Sequence, residues 1–225
     1  IGALGMPWAR TNVPHVCLSQ WGGYGVVRNS QAAGADNLSR PKLNWAWCAG
    51  LSYMKCHGEL AVPNDPELKQ VFDGEEFSRA ARLWTRGYDM YTPHTNYVYH
   101  DYFKKMGATN KAVWNYEPPP EAAEQRQKEE QHSMKRLWTL FGMDGADGQD
   151  LGGYGLGTVR KIEQFYHFSG IDPRGPPGQK KATRGQACGD LVWVPWSGKV
   201  ATPGRPRQRA AAAAQLYDSA ISRRR

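Results

Sequence analysis

Residues 72–100, FDGEEFSRAARLWTRGYDMYTPHTNYVYH, constrain this chain more than any other stretch. An acidic turn, Asp73-Gly74-Glu75-Glu76, leads into Phe77, Ala80, Ala81 and Trp84 at i, i+3, i+4 and i+7, which is one apolar helical face. The spacing predicts a helix over 74–86 with Asp73 as its cap, and Gly87 supplies the left-handed stop. Residues 88–91 and 97–99 read as short aromatic strands divided by a Pro93 turn, and the stretch closes on His100. Carboxylates and an imidazole thus fall at the ends of neighbouring elements, where a polar ligand or a metal can sit.

The remainder sets bounds. With 225 residues, 40% of them hydrophobic, and 9 Trp and 11 Tyr, the chain has the material for one folded core, and wholesale disorder is excluded. No apolar run approaches the ~20 residues that span a bilayer. The chain opens at Ile1 without a basic and then apolar leader, so the expectation is an interior or C-terminal piece of a longer protein. The net charge of +8 is local: from Arg174 onward 11 Lys and Arg face two acids, Asp190 and Asp218, while the rest of the chain is near neutral. Such a tail attracts polyanions non-specifically and does not make the folded part a nucleic-acid reader. Cys17, Cys48, Cys56 and Cys188 show no CxxC spacing, and the expectation is reduced, structural thiols in a cytosolic protein.

Three regions follow. Residues 1–42 read as an irregular segment trailing from a missing N-terminal part, 43–173 as the working region, and 174–225 as a basic Gly/Pro/Arg-rich tail, poorly ordered apart from an apolar island at 191–196. Within the second, 43–54 (LNWAWCAGLSYM) reads as a buried strand with Gly50 marking a bulge or a close backbone approach. Residues 121–141 form a charged helix docked by its C-terminal turns, and a helix follows over 158–168. Residues 210–220 are helical by propensity.

The acidic turn has two readings. Carboxylates beside a glycine accept bonds from sugar hydroxyls or move protons, whereas acids in a first turn also complement the helix dipole, the commoner role. The glycine run 152–157 lacks a preceding strand and a following Lys-Ser/Thr, so a structural turn is favoured over a phosphate loop. Cys56-His57 with Cys48 lacks a fourth zinc ligand.

The blocks LNWAWCAGLSYM, NDPELKQVFDGEEFSRAARLWTRGYDMYTPHTNYVYH and LGGYGLGTVRKIEQFYHFSGID, spanning residues 45–172, resemble the C-terminal half of hydroxyproline-linked polypeptide N-acetylglucosaminyltransferases. More distantly they are similar to mucin-type polypeptide N-acetylgalactosaminyltransferases. The resemblance implies an α/β, GT-A-like (Rossmann-like) fold and retaining transfer of N-acetylglucosamine from a UDP-GlcNAc donor to a protein acceptor. It also implies a divalent cation, Mn²⁺, to stabilise the diphosphate leaving group. Glu75 and Glu76 are then the catalytic carboxylates that hold the donor sugar. Phe72 stands at the sugar-site aromatic, Asp73 and Gly74 in the binding turn, and Trp45 and Gly50 at the substrate wall, with burial in an aromatic strand the equal alternative for Trp45. His100 falls on the third metal ligand. The Asp-x-His metal motif that these families carry on an earlier strand is missing, so the chain alone is expected to be inactive; the alternative readings are an inactive transferase fragment, or a polyanion- or protein-binding module that uses the basic tail. The compartment implied is the cytoplasm, or the Golgi lumen if an upstream anchor exists.

Overall fold

In a computed structural model of the chain, residues 12–30, 32–98, 119–174 and 188–196 are described. The elements in order are β1 (Asn12–His15), β2 (Ser19–Trp21), β3 (Val27–Asn29), β4 (Ala33–Asp36), β5 (Lys42–Asn44), α1 (Cys56–Ala61), α2 (Glu75–Thr85), β6 (Met90–Thr92), α3 (Pro120–Phe141) and α4 (Ile162–Ser169). The strands pair antiparallel in three ribbons, β1 with β4, β2 with β3 and β5 with β6. No parallel pair occurs among the described residues.

Helix α2 is the axis of the core. The expected face is buried: Phe77 packs within 5.5 Å of Phe165 and 5.2 Å of Phe141, and Trp84 stacks on Phe168 at 5.5 Å. The opposite face is buried as well, since Ser78, Arg79, Arg82 and Thr85 are all sequestered. A helix enclosed on every side needs partners for its polar groups. Thr85 shows how they are found: its carbonyl accepts the N–H groups of Val159 and Arg160, and its hydroxyl accepts that of Gly157. The glycine run therefore closes the C-terminal end of α2, as a structural turn does. Those bonds commit residues 159–160 to α2, so α4 begins at Ile162, later than the expected 158.

Several expectations are corrected. Residues 12–36 hold four strands within the supposedly irregular segment; strands of three or four residues are too short for alternation to show in sequence. Of 43–54 only the start is strand, because β6 is the only strand partner there among the described residues and it spans three residues. Trp45, Ala46 and Cys48 are buried from loop backbone instead. Residues 97 and 98 are not strand, and Tyr99, His100 and residues 210–220 lie outside the described residues. Helix α3 matches its expected range, with burial confined to Ser133 and beyond.

The thiols are not all reduced. Cys17 and Cys188 form a disulfide across 171 residues of sequence, leaving Cys48 and Cys56 free. This bond ties the apolar island to the body. Beyond it Asp190 accepts from Lys42 Nζ at 2.8 Å, Trp193 Nε1 donates to Asp89 at 2.9 Å, and Leu191 and Val194 pack on the core. No helix among the described residues is long and apolar enough to cross a membrane.

Candidate functional site

The acidic turn begins with a backbone requirement. Gly74 sits at φ +91°, and a Cβ there would lie 2.8 Å from Leu137 Cδ1 and 3.2 Å from Val26. Only glycine meets both conditions cheaply. Asp73 does not cap α2: the cap position is Gly74, without a side-chain bond. Asp73 instead reaches the tip of the β2–β3 hairpin, where its Oδ2 accepts the Gly23 N–H at 2.9 Å and its Oδ1 faces Arg28 Nε at 3.4 Å. Gly22 permits that approach, since a Cβ on it would stand 2.3 Å from Asp73 Oδ2.

Four further groups converge here. The Arg28 guanidinium lies 4.8 Å from the centre of the Phe72 ring, and that ring is 56% exposed, so it offers an aromatic face to solvent. Glu76 Oε1 accepts the Ala49 N–H at 2.8 Å, which draws the 47–50 loop onto the first turn of α2. Asn29 Nδ2 donates to the Trp47 carbonyl at 2.8 Å. Burial raises the Glu75 carboxyl above the usual carboxylate range, and the adjacent Glu76 adds to the effect. Glu76 is also raised by burial, against the Ala49 N–H, Arg28 and Asn29, which all favour its ionised form. Two half-buried carboxyls with unlike partners, an arginine and an open aromatic ring can accept hydroxyl hydrogen bonds, move a proton and neutralise an anionic group.

The chain matches the glycosyltransferase (GlcNAc) family over residues 5–175. It belongs to that family. No curated protein matches it, and no solved structure does. The family assignment makes the chemistry glycosyl transfer of N-acetylglucosamine, and it implies a sugar-nucleotide donor and an acceptor in general terms. The match takes in the hairpins of residues 12–36 as well as the acidic turn.

Within this glycosyltransferase the expected site residues separate into groups. Phe72, Asp73, Gly74, Glu75 and Glu76 lie together on one turn. Trp45 does not join them at a surface: it is fully buried, edge-on to Phe77, with its Nε1 donating to the Cys17 carbonyl, and so acts as core. Gly50 is exposed, and a Cβ on it would meet nothing within 4 Å, so no close backbone approach explains it. His100 lies outside the described residues. Sequence reasoning missed Arg28, Asn29 and Ala49. The signal available was the Trp21-Gly22-Gly23-Tyr24-Gly25 run, whose glycines mark a tip that something approaches closely.

The described residues do not build a metal site by themselves. Asp73 is held by Gly23 and Arg28, Glu76 by Ala49, and no group of three or more His, Cys, Asp or Glu side chains suited to a metal occurs among the described residues.

Proposed function

We propose that this chain holds the donor-sugar half of a site, built on the acidic turn of α2, that in the full-length protein transfers N-acetylglucosamine from UDP-GlcNAc to a hydroxyl on a protein, with retention. The observation that carries the reading is the convergence of Glu75, Glu76, Arg28 and Phe72 around the left-handed Gly74. The open Phe72 ring is a stacking surface for the apolar face of a hexose ring. Glu75, the less engaged of the two carboxyls, accepts donor-sugar hydroxyls and holds the anomeric carbon in position. Glu76, fixed by the Ala49 N–H, orders the 47–50 loop against that sugar. Arg28, pinned between Phe72 and Asp73, supplies positive charge for the departing diphosphate.

A GT-A architecture and an acceptor of the hydroxyproline type belong to the same proposal. So does Mn²⁺, which rests on His100 and enters no step above. Of the two compartments expected, the Cys17–Cys188 disulfide favours the oxidising lumen over the cytoplasm.

The test is a UDP-GlcNAc turnover assay on a full-length version of the protein, with UDP binding measured separately. Glu75→Gln is expected to lower turnover by about two orders of magnitude while leaving UDP affinity within a small factor. Equal loss of both makes Glu75 a scaffold residue and removes the reading. His100→Ala is expected to abolish stimulation by Mn²⁺; an unchanged metal response takes His100 out of the site.

A further inference from the structure

One stripe of α2 leads away from the acidic turn to a second surface. Glu76, Ala80 and Leu83 stand at i, i+4 and i+7, with about 10 Å of helix rise from Glu76 to Leu83. The segment after Trp47 spans the same distance. Ala49 gives its N–H to Glu76 Oε1 at 2.8 Å, and residues 51–54 join Leu83 in the lining of a groove.

The groove has a volume of about 680 Å³, the size of a ligand site. Tyr53, Tyr88, Tyr91 and Tyr97 line it, with Pro41 and Pro93. Tyr53 is 91% exposed and Tyr97 68%, and Tyr91 and Val98 are exposed beside them. Large apolar side chains gathered in water at one place mark a surface that binds a partner.

The charge of the groove narrows what that partner is. Asp89 is the one charged residue in the described lining, and both of its oxygens are engaged, Oδ1 by Arg160 Nη2 at 2.8 Å and Oδ2 by Trp193 Nε1 at 2.9 Å. In a chain of net charge +8 this surface is neutral, so it matches neither a phosphate nor a charged peptide. A free sugar needs polar partners for each of its hydroxyls, and a largely apolar lining supplies few. A proline-bearing segment in the polyproline conformation suits it better: its rings are apolar and stack on tyrosine. Its backbone makes no internal hydrogen bonds, so its carbonyls accept from tyrosine hydroxyls.

We propose, resting on the transferase reading of the acidic turn, that this groove binds the acceptor polypeptide through an extended, proline-containing segment. The 49–54 loop, anchored on Glu76 at one end and lining the groove at the other, is the track between the two surfaces. An extended chain covers the ~10 Å from Leu83 to Glu76 in about three residues, which sets the acceptor hydroxyl that far along from the residues held by tyrosine.

Fluorescence anisotropy of a labelled decaproline peptide, titrated with the full chain in the absence of any sugar nucleotide, tests it against a Gly-Ser peptide of equal length. Decaproline is expected to bind saturably and about tenfold or more tighter than the control. Tyr53→Ser combined with Tyr97→Ser is expected to weaken it about tenfold without moving the unfolding midpoint, since both side chains stand largely in water. Should the pair lower the midpoint, Tyr53→Ser alone decides, with a severalfold loss expected. Glu75→Gln is expected to leave peptide binding unchanged, so loss of the groove and loss of the sugar site are told apart. No saturable binding, equal binding of the two peptides, or binding that survives the tyrosine changes would each overturn the proposal. So would sedimentation of the chain as a dimer that the same changes dissolve, because the groove is then a contact between copies.

Discussion

Glu75 and His15 are both held out of their ordinary ionisation range by burial, and they pull stability in opposite directions with pH. Glu75 is raised, so the folded chain holds that proton more tightly than the unfolded one. Its contribution is present at low pH and declines as pH rises through the ordinary carboxylate range to the raised value. Glu75→Gln is therefore expected to leave the unfolding midpoint at pH 7 unchanged or higher while turnover falls; a lower midpoint would mark a scaffold role. His15 is 2% exposed, with Nδ1 2.7 Å from Thr92 Oγ1 and no partner for Nε2. Burial, with Lys42 assisting, lowers its pKa to about 4. Its stability contribution is complete above about pH 6.5 and is lost as pH falls from there toward 4, by about 2–3 kcal/mol. Urea unfolding of wild type and His15→Gln at pH 7 and pH 4 checks this: the variant is expected to lose less on acidification. A histidine next to Pro14 gave no sign in sequence of such burial, because the Thr92 that fixes it lies 77 residues away.

Helix α2 shows which element-level facts are local. Its aromatic ridge and its stop at Gly87 follow from residue order, since capping and periodicity are short-range, but its start does not, because Asp73, the expected cap, reaches the Gly23 N–H instead. Its full enclosure does not, because the loop 63–65 and the glycine run that cover Arg79 and Arg82 are remote in sequence. Gly74→Ala is expected to cost about 1–3 kcal/mol by denaturant unfolding, because it adds a Cβ against Leu137 in a left-handed backbone. Trp84→Ala is expected to cost about 3–5 kcal/mol, leaving a cavity among Phe165, Phe168 and Arg160. A change below 1 kcal/mol at Trp84 would mean that the ridge is not the core axis.

Across the whole molecule, distant segments meet around α2: the N-terminal hairpin at Asp73, the glycine run at Thr85, and the 188–196 strap on the Asp89 side. The Cys17–Cys188 bond closes a loop of 171 residues, and its removal by Cys188→Ser is expected to cost about 2–5 kcal/mol and to release the strap. Tryptophan emission should then shift red as Trp193 leaves Asp89, and protease should cut the tail faster; unchanged emission and cleavage would show that the strap holds without the disulfide. The sequence by itself determined α2 and α3, the acidic turn, the basic tail and the resemblance to GlcNAc transferases, all written in neighbouring residues. Tertiary structure alone decided that Arg28 and Ala49 meet at the acidic turn, and that two cysteines read as reduced are joined. Each of these depends on pairs far apart in sequence, and periodicity and spacing carry no information about which remote segments touch.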